Sequence, residues 1–64
     1  MIYAIQALNG QLVGNPNKGV DFTSRVEDAL LMESKAVAKL TAKALGIQNA
    51  LVRTVIIKGG RACL

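Results

Sequence analysis

Histidine and tryptophan are absent from this sequence, and cysteine, proline, tyrosine and phenylalanine each occur once. Each gap removes a class of chemistry. Without histidine there is no imidazole to act as general base or metal ligand near neutral pH. With Cys63 as the single thiol, neither an intramolecular disulfide nor a His/Cys metal site can be built. Cys63 stands beside the last residue, outside the four-residue prenylation box, and reads as a free thiol in a loose tail. Only Tyr3 and Phe22 are available as stacking platforms for single-stranded nucleic acid, so that mode of recognition is weakly supplied.

Long apolar runs are missing too. No stretch approaches the roughly 18 residues of a membrane span. The first residues lack a basic n-region, and Gln6 and Asn9-Gly10 interrupt the apolar start, so no secretory signal is read. The chain is expected to be soluble and cytoplasmic, without a membrane role.

Acidic residues are few. The four carboxylates, Asp21, Glu27, Asp28 and Glu33, fall in one 13-residue window. Paired acids can do acid/base work, but Glu27-Asp28 read as helix-start and surface residues. Ser24 and Ser34 precede helical segments and read as caps, with no base beside them except lysines. No catalytic residue, cofactor site or metal site is assigned, and enzymatic activity is not expected.

What is present is an aliphatic chain with a modest basic excess. Sixty-four residues form one domain near the lower size limit for folding without staples, and hydrophobic residues make up 52% of it. The core must therefore be built from Ile, Leu, Val and Ala. The net charge of +4 suits acidic partners, nucleic acid included, and argues against a nucleic-acid mimic.

The organising stretch is Ser24 to Gly46. From Ser34 onward, Ala36, Val37, Leu40 and Ala44 share one helical face, flanked by Thr41 and Leu45. Lys35, Lys39 and Lys43, at i, i+4 and i+8, form a basic stripe roughly opposite. Gly46 is placed to stop the helix at about residue 45. A helix running unbroken from Ser24 would bury Glu33 in the apolar face, at a desolvation cost with no partner in view. The preferred reading is a short helical turn at 24–29, an extended Leu30–Glu33, and a main helix over about 34–45 capped by Ser34; the continuous helix is the alternative.

Strand patterns lie on both sides. Ile2–Leu8 alternates Tyr3, Ile5 and Ala7 against Ile2, Ala4, Gln6 and Leu8, and Asn9-Gly10 predicts a type I′ hairpin into Gln11–Val13. Gly14–Gly19 is a loop; its glycines are five apart, but Val20-Asp21 stand where a phosphate-binding loop needs Lys and Ser/Thr. A second clear strand covers 50–58, with Leu51, Arg53, Val55 and Ile57 on one face and Val52, Thr54, Ile56 and Lys58 on the other. Gly59-Gly60 ends it, and residues 59–64 are expected to be a frayed tail. The fold class is α+β: a small two-layer domain with the main helix packed on a mostly antiparallel sheet.

Both faces of the two strands carry large apolar groups, whereas a half-exposed antiparallel sheet should alternate apolar with polar. One face would stay open, and association through Tyr3, Ile5, Leu51, Val55 and Ile57 is expected, either sheet-to-sheet or edge-to-edge in a symmetric homo-oligomer, or by docking onto another protein. The competing account folds the 24–29 turn over the second face.

The run Tyr3-x-Ile5, Asn9-Gly10-Gln11-Leu12, Phe22-Thr23 with Ala29 beyond, Ser34-x-x-x-Ala38 and Leu45-Gly46 resembles small proteins encoded in phage early or accessory regions. Met32 stands where that pattern has an aromatic. The resemblance implies a role in binding host or viral proteins, in the host cytoplasm, and identifies no functional residue. Two function classes follow. The first is a small protein-interaction module. The alternative is a nucleic-acid-associated protein that uses Lys35, Lys39 and Lys43, helped by Lys18, Arg25, Arg53, Lys58 or Arg61 if the fold gathers them.

Overall fold

Ser34 ends one backbone conformation and starts another. In the computed structural model, which describes all 64 residues, Ser34 is extended, and its side-chain oxygen accepts a hydrogen bond from the Val37 amide. Helix α1, Lys35–Ala44, follows. Its end is a Schellman motif: Gly46 donates to Lys43 and Ile47 to Ala42, with Gly46 in the left-handed region. The predicted cap, break and stop are all present. The segment before the helix is the short 3-10 turn Val26–Asp28 followed by extended backbone, so the continuous helix does not form.

Five strands form one antiparallel sheet: β1 (Ile2–Gln6), β2 (Leu12–Val13), β3 (Phe22–Thr23), β4 (Leu51–Lys58) and β5 (Arg61–Cys63). Their order across the sheet is β3-β2-β1-β4-β5. The α+β class is as the sequence predicts. Near their open ends β1 and β2 diverge, and the extended segment after the 3-10 turn fills the gap. Met32 exchanges two hydrogen bonds with Tyr3, and Leu30 donates to Val13.

Three expectations are corrected. Residues 59–64 are not a frayed tail, because Arg61–Cys63 pairs with β4 at Lys58↔Arg61, Ile57↔Ala62 and Ile56↔Cys63. Gly59 and Gly60 both have positive φ, which is what a two-residue hairpin turn of the primed type requires. Asn9-Gly10 is not such a turn. Asn49 is the only non-glycine with positive φ, and the β1–β2 connection is the three-residue loop 8–10, closed by hydrogen bonds from Gly10 to Ala7 and from Ala7 to Gln11.

The third correction concerns the face that α1 buries. Ala38 and Ala42 point inward, while Ala36, Val37, Leu40 and Ala44 are exposed. Volume explains the reversal. The sheet beneath the helix is already filled by Ile5 and Val13, with Tyr3, Leu30, Met32 and Val52 around them. Only small side chains fit between those groups and the helix backbone.

A second cluster lies on the opposite face: Ala4, Leu12, Ala29 and Val55, with Ile2, Val26 and Ala62 against it. The 3-10 turn Val26–Asp28 covers this face, which is the competing account given above. The face expected to stay open for a partner is therefore closed at its centre.

Candidate functional site

The exposed side of α1 carries two parallel rows. One is Lys35, Lys39 and Lys43, each about 6 Å further along the axis than the last. The other is Ala36, Val37, Leu40 and Ala44, with Leu40 67% and Val37 50% exposed. The rows are adjacent, because successive residues turn by about 100° around the helix. The small volume of Ala38 and Ala42 is what turns the larger Val37 and Leu40 outward. No ion pair involves any of the three lysines.

The other basic residues are not gathered with them. Arg53 lies on the opposite face of the sheet, where its guanidinium donates to the Gln6 side-chain oxygen at 2.7 Å. Lys58 sits at the far end of β4, next to the Gly59-Gly60 turn. Lys18 and Arg25 are engaged with acids around the 3-10 turn. Lys18 Nζ donates to the Glu27 carbonyl at 2.6 Å and lies 3.6 Å from Asp28 Oδ1. Arg25 bonds the Glu27 carboxylate through Nε and Nη2 and lies 3.7 Å from Asp28 Oδ2. The Arg25 hydrogen bond, and then its charge, hold the Glu27 carboxyl below the usual carboxylate range. This cluster fastens the turn to the Pro16–Lys18 loop, a structural task the sequence reading did not assign to these residues.

The expected interface set is split between two faces. Tyr3 and Ile5 face α1; Leu51, Val55 and Ile57 face the other way. Ile5 is 0% and Val55 5% exposed, so neither can touch a partner without unfolding. Leu51 at 59% and Ile57 at 53% remain accessible. The physical reason is the cover provided by α1 on one face and by Val26 and Ala29 on the other.

A shallow groove of about 380 Å³ runs between the C-terminal end of α1 and the β2–β3 loop, lined by Val20, Phe22, Leu45 and Ile47, with Asp21 among its lining residues. Sequence reasoning missed it, since its walls come from segments read only as loop and helix end. No group of three or more His, Cys, Asp or Glu side chains is placed to hold a metal ion. No helix is long and apolar enough to cross a membrane. Comparison with known proteins finds no matching family model, no similar curated protein and no matching solved structure.

Proposed function

We propose that this chain is a non-enzymatic protein-interaction module that presents the outer side of α1 to an acidic, amphipathic segment of another protein. The observation that carries the reading is the exposure of Val37 and Leu40 beside an unpaired lysine row. The outer face of a surface helix is ordinarily polar. An apolar strip with a cationic margin complements a helix or strand that pairs apolar anchors with carboxylates. The resemblance to phage accessory proteins supports the same reading, with action in the host cytoplasm.

The test is retention of bacterial lysate proteins by the immobilised chain and by its Leu40→Glu variant. A protein held by the parent and released at least about tenfold more readily by the variant, at an unchanged circular dichroism spectrum, is the expected result. Equal retention by both overturns the helix-face assignment.

One observation favours a second reading, nucleic-acid association: none of the three lysines is spent on an intrachain acid. Three phosphate contacts would give a slope of about −2.7 for log affinity against log salt on duplex DNA. Changing Lys35, Lys39 and Lys43 to Gln should flatten it. A parent chain that binds no generic DNA or RNA at low salt removes this reading.

A further inference from the structure

The longest uncovered strand edge in the molecule belongs to β4, which is not a terminal strand of the sheet. Tyr3 gives both its backbone groups to Met32, so in β1 it is Ile2, Ala4 and Gln6 that face β4. Their partners are Val55, Arg53 and Leu51. By alternation, the N–H and C=O groups of Val52 and Thr54 point to the other edge. There β5 covers only Ile56 to Lys58, and no turn or loop hydrogen bond uses Val52 or Thr54. The terminal strands β3 and β5 span two and three residues. The open part of β4, from Leu51 to Val55, has no proline, no glycine and no bulge, and its one charge, Arg53, is held by Gln6. These are the devices that normally blunt an edge.

We propose that this edge pairs with the same edge of a second copy of the chain, antiparallel, about a two-fold axis at Val52. The proposal is independent of the helix-face reading above. Self-pairing follows from the way the edge is bounded. The window is closed at one end by β5 and at the other by the turn before Ala50, so an antiparallel copy offers a window of the same length with its stops at the matching ends.

Three symmetric registers set Val52 or Thr54 of one copy against Val52 or Thr54 of the other, and two of them fail. Centring on Thr54 sets Val52 against the second copy's Ile56, which already pairs with its own Cys63. Centring on Arg53 sets two guanidinium groups directly opposite each other, a like-charge pair that destabilises a ladder. Centring on Val52 pairs Val52 with the second copy's Val52 and Thr54 with the second copy's Ala50. It also lays the exposed Leu51 along the aliphatic stem of the second copy's Arg53. The two sheets then continue as one. An assembly by stacking on the second face is disfavoured, since the Val26–Asp28 turn sits there.

Amide hydrogen exchange of the full chain, followed by NMR from micromolar to millimolar concentration alongside light scattering, tests the proposal. The expected result is a mass rising to twice the 6.8 kDa of one chain. The Val52 and Thr54 amides should gain protection in step with it, while those of Leu51, Arg53 and Val55 stay protected throughout. A Thr54→Pro variant deletes an N–H that the chain itself does not use, so it should weaken association by about tenfold or more. Leu40→Glu should leave association unchanged. A chain that stays monomeric over the whole range overturns the proposal. So does a dimer in which the Val52 and Thr54 amides exchange freely, or one that Leu40→Glu dissolves.

Discussion

The two faces of the sheet are closed by different means. Beneath α1 the seal is regular: a capped helix laid down through Ala38 and Ala42 onto Ile5 and Val13. On the opposite face it is a three-residue turn, Val26–Asp28, laid over Leu12, Ala4 and Val55 and fastened at its rim by Lys18 and Arg25. The first seal rests on apolar packing and backbone hydrogen bonds. The second adds charge, and so should respond to pH and salt where the first does not. A chain with one helix can close the centre of both sides of a sheet if an irregular segment takes the second, and part of the β4 edge then stays unpaired.

The largest effects should come from the biggest fully buried side chain of each face, Ile5 and Leu12. Either one changed to Ala should cost about 2–5 kcal/mol, against a total of roughly 3–10 kcal/mol for a chain of this length. The comparison is sharpened by where protection is lost. Ile5→Ala should free the α1 amides first. Leu12→Ala should free the Asn15 amide, which donates to Asp28 at 2.8 Å and so reports the turn. Indistinguishable exchange patterns in the two variants would mean that the faces open together, and the contrast between them would fall.

Next come the glycines that return the chain toward the second face. Gly59 and Gly60 have φ of 54° and 78°, and an added Cβ at either would meet nothing within 4 Å. The cost of Gly59→Ala or Gly60→Ala is thus conformational, about 1–2 kcal/mol each. It should fall on β5 and on Ala62, which packs against the second cluster. Exchange of the Cys63 amide should rise while α1 is unaffected. Ser34→Ala acts on the other seal and should cost about 0.5–2 kcal/mol, read from the denaturation midpoint at constant m-value.

These sites also mark how far the fold was legible in the sequence. Ser34 and Gly46 are local signals with one physical meaning each, and both ends of α1 fell where they point. The strands β1 and β4 were legible from alternation, to within two residues at each end. The buried side of α1 was not. Periodicity groups Ala36 with Val37, Leu40 and Ala44, whereas the burial of Ala38 and Ala42 instead depends on the volume already filled by Ile5 and Val13, which come from elsewhere in the chain. The return strand was missed for another reason: Gly59-Gly60 carries a hairpin signal, but Arg61–Cys63 is too short to show alternation. In the candidate site, the lysine row was legible as spacing, and its separation from Arg53 and Lys58 required the strand register. The open edge of β4 was invisible, because nothing in the sequence states where β5 stops.

The smallest effect is the one that most directly separates the two seals. The Glu27 carboxyl is lowered below its ordinary value by the Arg25 hydrogen bond first and the Arg25 charge second, with smaller help from Arg61 and Lys18. A group with a lowered folded value stabilises the fold above its unfolded value, about 4.3 for Glu, and loses that contribution as pH falls through the folded one. Arg25 is shifted upward, so its matching contribution would fade only in strong alkali. Acid is therefore the side that matters. Because this ion pair is exposed, salt screens it and the effect is small. The expected outcome is a thermal midpoint for Glu27→Gln slightly below that of the parent at about pH 7, with the gap narrowing as pH falls below about 4.3 and narrowing also in concentrated salt. Exchange at Asn15 should follow the same course, while exchange within α1 does not. A gap as wide at about pH 3 as at about pH 7 would show that the Glu27 side chain acts through packing, and the second seal would then be no more electrostatic than the first.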